Sequence, residues 1–166
     1  MICPLARRPV RGRVDPQDEK SRERGVVMTE PERWFPSHIR EIPEEDCREL
    51  LAAHEVGRVA YSVGDGRAPV VVPVNYTMEG DALLLRLGPN SNIAHHLQST
   101  PASFEIDDYE TYNQSGWSVL ARGHSRWVDA ADHPASQRLL PWAEGRRTLV
   151  VLLEIQELTG RRLLPA

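Results

Sequence analysis

Between residues 58 and 158 the chain breaks into six short runs of strand-type residues, each ended by a turn signal, and this series limits the fold more than any other feature. The runs are residues 58–63, 68–76, 82–87, 102–107, 116–128 and 148–158. Gly64-Asp65-Gly66 and Glu79-Gly80-Asp81 supply hairpin turns, because glycine enters the positive-φ region at little cost. The fifth run alternates cleanly, with Trp117, Val119, Ala121 and Gly123 on one face and Ser118, Leu120, Arg122 and His124 on the other. The sixth contains Leu149-Val150-Val151-Leu152-Leu153, apolar on both faces. One of its faces enters a core, and the other must be covered by a helix or by a second subunit. Strands this short leave exposed edges unless the sheet closes, so the expected fold is mainly β: a closed or nearly closed six-stranded antiparallel barrel with short helices.

Helix signals lie between the runs. Pro43 opens a helix with Glu44, Glu45 and Asp46 in its first turn, where acids suit the helix dipole. Cys47, Leu50, Leu51 and His54 share one face of it, and Gly57 is placed to end it. Asn90, Ser91 and Asn92 cap a second helix running to about Gln98, and Asp132 with Pro134 opens a third that ends near Pro141.

A chain of 166 residues is long enough for one core. Residues 1–27 hold six arginines and little that could enter a core, so they read as a disordered or mis-called N-terminal extension, with Met28 as an alternative start. Residues 28–40 form an N-terminal segment, and residues 41–163 the folded domain. The formal net charge of -4 argues against a general nucleic-acid binder. Neither a membrane-spanning run nor a secretory leader is visible. Cys3 and Cys47 are far apart and read as free thiols of a reducing compartment, so the expected location is cytoplasmic.

Several chemistries lack their signatures. There is no Gly-x-Gly-x-x-Gly, no phosphate loop and no Gly-x-Ser-x-Gly elbow. The six histidines do not fall into metal spacing, so no metal site is expected. Two places are unusual. Pro73 interrupts a Val-rich strand, which assigns it to an edge or a bulge and frees backbone groups near Val72, Val74 and Asn75 for a ligand. Arg86 then precedes Gly88 and the Ser91–Asn92 helix start, a combination suited to a phosphate. Each alone is explained as well by an ordinary edge strand or an ordinary cap. Together they suit a ligand with a planar polar head and a phosphate tail.

The segments Val-Gly-Arg-Val-Ala (56–60), Pro-Val-Asn-Tyr (73–76), Leu-Arg-Leu-Gly-Pro-Asn-Ser-Asn (85–92), Gly-Trp-Ser-Val-Leu-Ala-Arg-Gly (116–123), Leu-Pro-Trp-Ala-Glu-Gly-Arg-Arg (140–147) and Thr-Gly-Arg-Arg-Leu (159–163), in this order, resemble the pyridoxamine 5′-phosphate oxidase-like family. The likeness is greatest to its actinobacterial branch near the nitroimidazole-resistance proteins. The resemblance implies the FMN-binding split β-barrel and a homodimer with two flavin sites. By position it implies that Pro73, Val74 and Asn75 line the isoalloxazine, and that Arg86, Ser91 and Asn92 surround the phosphate. Ser118 would approach the ring, and Trp142 and Arg146 would come from the partner subunit. Relatives often carry Lys where this chain has Asn92, which removes one cation from the phosphate. The chain also lacks the Arg-x-His motif of the true oxidase near its C-terminus, so vitamin B6 oxidation is not implied.

The function expected on this basis is a flavin-dependent oxidoreductase acting on a small molecule. The competing readings are a haem or deazaflavin binder on the same fold, and a degenerate dimeric module without turnover. His54, His95, His96 and His124 are the haem candidates, and no spacing singles one out.

Overall fold

The long alternating run around Val119 organises the molecule, because it has a partner on each side for nearly its whole length. The computed structural model describes residues 38–140, 142 and 145–165; the readings of residues 1–27 and of 28–37 lie outside them. The strands are β1 (His38–Ile42), β2 (Val56–Tyr61), β3 (Val70–Glu79), β4 (Ala82–Leu87), β5 (Thr100–Glu110), β6 (Ser115–Val128) and β7 (Leu149–Leu164). Two helices, α1 (Glu44–Ala53) and α2 (Asn92–His96), and a 3-10 turn (Pro134–Arg138) lie between them. The sheet order is β1-β7-β4-β3-β2-β5-β6, and β6 pairs back onto β7. β2 to β7 therefore close into an antiparallel six-stranded barrel, with β1 as one extra strand on the end of β7.

The alternation of β6 runs as the sequence predicts. Val119, Ala121 and Gly123 are buried, Trp117 packs against the core, and Ser118, Leu120 and Arg122 point outward. Leu83, Leu85 and Leu87 of β4 and Val151 and Leu153 of β7 enter the same core. Each such side chain contributes about 2 kcal/mol by leaving water. The opposite faces of β4 and β7 form a smaller outer cluster of Leu84, Val150 and Leu152, covered by Ala135 of the 3-10 turn. The chain's own turn thus covers the second apolar face of β7 there.

The helices close the two ends of the barrel. Cys47 and Leu51 of α1 are fully buried, and the Tyr76 hydroxyl donates to the Leu51 carbonyl oxygen at 2.7 Å. At the other end Ala94 and Leu97 are buried, His96 stacks on Tyr61, and Trp127 Nε1 donates to the Ala94 carbonyl at 3.0 Å.

The structure corrects several boundaries. Helix α1 ends at Ala53, and Gly57 lies inside β2 rather than capping it. A Cβ at Gly57 would stand 2.3 Å from the Phe104 ring, so the glycine serves a close approach between strands. α2 stops at His96 rather than Gln98, and the third helix is only the 3-10 turn. β7 runs six residues past Leu158 because β1 and β6 both pair with its polar end. A bulge between Arg122 and Gly123 leaves Gln156 unpaired and shifts the alternation there.

Candidate functional site

β3 changes partner halfway along. Residues Val70 to Asn75 pair only with β2, whereas Tyr76 to Glu79 pair with β4. β4 in turn leaves β3 after Leu85, and Arg86 and Leu87 pair only with β7. A split therefore opens between the first half of β3 and the end of β4. Asn75 and Arg86 would be the next pair in that register, and they face each other across the opening.

Pro73 sits on this local edge. The Tyr76 amide donates to the Glu55 carbonyl at 3.0 Å, which makes Val74, Val72 and Val70 the hydrogen-bonded positions toward β2. The backbone groups of Val71, Pro73 and Asn75 then turn away from β2 into the split. Proline costs nothing there, because its missing N–H would have had no strand to meet. The side chains of Val72 and Val74 pack on the core, whereas Pro73 is exposed and Asn75 half-buried.

The segment between β6 and β7 crosses the split. The Trp142 amide donates to Asn75 Oδ1 at 2.9 Å, and Asn75 Nδ2 donates to the Glu55 carbonyl at 3.4 Å. Further along, the Arg146 carbonyl is the only atom that a Cβ on Gly88 would approach, at 3.9 Å. Arg86 lies between these two crossings. Its Nε is buried and has no hydrogen-bond partner. Natural proteins rarely leave a guanidinium donor out of water and unpaired, since the desolvation is uncompensated.

The remaining predicted residues fall as follows. Ser91 caps α2: its hydroxyl donates to the Gly88 carbonyl at 2.7 Å and accepts from the Ala94 amide at 3.3 Å. Asn92 is exposed at the first position of that helix. Val72, Pro73, Val74, Asn75 and Arg86 thus flank the split, with Trp142 of the same chain bonded to Asn75, the Arg146 carbonyl near Gly88, and Ser91 and Asn92 at the start of α2 beyond β4. Ser118 does not join them. It faces outward on β6, three strands from Pro73 and so on the opposite side of the six-stranded barrel.

The strip between Pro73 and Ser118 holds an ion pair that sequence reasoning missed. Arg58, opposite Pro73, binds Asp107 and, at 3.4 Å, Glu105. Asp107 raises the Arg58 pKa further above its ordinary value, so this side chain is permanently charged. Tyr76 and Trp117 are core or core-facing, and burial pushes the Tyr76 hydroxyl well above the usual range.

Three of the four haem candidates have described side-chain neighbours. His54 bonds the Leu50 carbonyl and meets Trp117 edge-on, His96 stacks on Tyr61, and His124 lies 3.4 Å from the Ser99 hydroxyl. Among the described residues no group of three or more His, Cys, Asp or Glu side chains could hold a metal ion. No described helix is long and apolar enough to cross a membrane.

A six-stranded antiparallel barrel, split between β3 and β4 beside the buried Nε of Arg86, defines the class of split β-barrels. The chain belongs to the pyridoxamine 5′-phosphate oxidase family, whose model matches residues 43–162. It is 29% identical over 141 residues to an uncharacterised protein of Mycobacterium tuberculosis, covering 79% of this chain and 91% of that one. The structure of the FAD binding protein of Mycobacterium smegmatis matches with a TM-score of 0.63 at 26% identity, over 76% of this chain and 98% of that one. The FAD and heme binding protein of the same organism matches in fold, with a TM-score of 0.59 at 19% identity, over 75% of this chain and 73% of that one.

Proposed function

We propose that residues 41–163 bind a flavin, FMN in the first instance, and act as a flavin-dependent oxidoreductase on a small molecule. The observation that carries this reading is the unpaired, buried Nε of Arg86 at the edge of the split. A phosphate oxygen would satisfy that donor with a charge-assisted bond. The chain contributes Arg86 and Asn92 toward the phosphate, with Ser91 holding the turn between them. Val72, Pro73, Val74 and Asn75 present one strand edge to the ring; the backbone groups of Val72 and Val74 are held by β2, and those of Pro73 and Asn75, which turn away from it, suit the polar rim of the ring. Trp142 and Arg146 close the split from the crossing segment.

The bound flavin would supply the redox chemistry; the protein binds it, orients it and limits access of water. Ser118 would reach the ring only from a second copy of the chain, so the reading includes a homodimer. It also includes a cytoplasmic setting, which suits the buried free thiol of Cys47.

The test is a titration of the purified protein with FMN, FAD, a deazaflavin coenzyme and haem, followed by fluorescence quenching and absorption. FMN binding by wild type is expected, weakened roughly thirtyfold in Arg86→Ala, as loss of a charged hydrogen bond predicts. A protein that takes up no flavin, or an Arg86→Ala variant with unchanged affinity, would overturn the assignment. FAD or deazaflavin preferred over FMN would overturn the choice of FMN.

A further inference from the structure

The connection between β6 and β7 is fastened to β3 at two points, and only the second touches the split. The first fastening is Glu79, the last residue of β3. Its Oε1 accepts from the Ala135 amide at 3.1 Å, and its Oε2 meets Nδ1 of His133. Pro134 lies between those two donors and has no N–H of its own, so His133-Pro134-Ala135 presents two donors to one carboxylate. The second fastening is the Trp142 amide on Asn75 Oδ1. Glu79 and Asn75 are four residues apart on one strand, about 13 Å. Between the fastenings Arg138, Leu139 and Leu140 run beside Thr77 and Met78 and wall an open groove of ≈ 370 Å³.

We propose that Glu79 is a positioning residue for the flavin site, fixing this strap so that Trp142 and Arg146 stand at Asn75 and Gly88. The inference rests on the flavin reading above. It follows from order along the chain: Glu79 holds residues 133–135 where they land on β3, Leu139 is buried directly after the 3-10 turn, and the Trp142 amide then meets Asn75, the position opposite Arg86 in register. Releasing the landing point lets Trp142 leave Asn75, and the flavin site would change without Arg86 being altered itself.

The clamp has a defined response to acid. His133 beside it, with the Ala135 amide and Arg138, holds the Glu79 carboxyl below the usual carboxylate range. A depressed value means that the clamp is intact above the unfolded carboxylate pKa and is lost as pH falls through the lower folded one. The other charges near it are Asp132 beside His133, Glu154 two strands over in register with Ala82, and the Arg48–Asp81 pair after the turn. A Gln at position 79 keeps an acceptor for the Ala135 amide and does not titrate.

The experiment compares wild type, Glu79→Ala, Glu79→Gln and His133→Ala as full chains, by FMN titration from neutral to acid pH and by amide hydrogen exchange. In Glu79→Ala, FMN affinity should fall roughly tenfold at neutral pH while the strap amides after Ala135 exchange faster and the amides of β5 and β6 do not. Glu79→Gln should stay within roughly threefold of wild type at neutral pH and lose the acid-dependent fall seen in wild type. His133→Ala, which removes one of the two donors, should lie between and serves if Glu79→Ala does not fold. Wild-type flavin affinity in Glu79→Ala with a deprotected strap would overturn the positioning role and leave the flavin reading standing. Absence of flavin binding in wild type itself would overturn both.

Discussion

Gly123 stands at the bulge where β6 slides past β7, and a Cβ there would fall 1.8 Å from the Glu154 carbonyl oxygen. The contact is with backbone in a paired strand, so a side chain cannot rotate away from it. Gly123→Ala should therefore cost about 3 kcal/mol and lower the melting temperature by about 10 °C, read by calorimetry. A variant as stable as wild type would mean that the strands separate freely at the bulge. At the cofactor end, Asn92 heads α2 with its side chain in water. The only lysine of the chain is Lys20, so no second lysine replaces the cation missing there. Asn92→Lys should tighten FMN binding about fivefold at low salt and lose much of that gain at high salt, as expected for an exposed charge beside a phosphate. A gain independent of salt, or none, would place the phosphate elsewhere.

Among the elements, the ones that could be read from sequence are those whose pattern is local. The six barrel strands were visible because alternation and turn residues act within a few positions; β6 shows this best. β1 and the far half of β7 were not visible. His38-Ile39-Arg40-Glu41-Ile42 and the polar stretch after Leu158 are strands because they pair with each other and with β6, which no local signal encodes. Gly57 was misread for the same reason: its partner, Phe104, is far along the chain. The candidate site divides similarly. Pro73 and Arg86 stood out as departures from their surroundings, a proline in a strand and an arginine in a leucine run. The Glu79 clamp did not, because His133 lies 54 residues away and neither residue is unusual where it stands. The strap is the element on which both fastenings converge, and Trp142 on it meets Asn75, the position opposite Arg86 in register.

For the molecule as a whole, exposed apolar side chains gather beside the split. Val71, 58% exposed, shares the outer face with Pro73, and Leu140 and Trp142, 77% and 74% exposed, lie on the strap beside it. Apolar side chains grouped around a polar opening are what a docking partner covers. Ser118, outward on the opposite side of the barrel from Pro73, would complete a ring site only if a second copy brought its own β6 against the first. A homodimer in which the partner's β6 lies against this split would cover Val71 and Trp142 and supply Ser118. Analytical ultracentrifugation of the purified chain should give the mass of a dimer. Val71→Glu should raise the dimer dissociation constant at least about tenfold, because a carboxylate would be buried unpaired at the contact. FMN affinity should fall in parallel in that variant, since each site would lose its second wall. A monomer that binds FMN as tightly as wild type would show that one chain holds the whole site, and the outer apolar residues would then need a different partner.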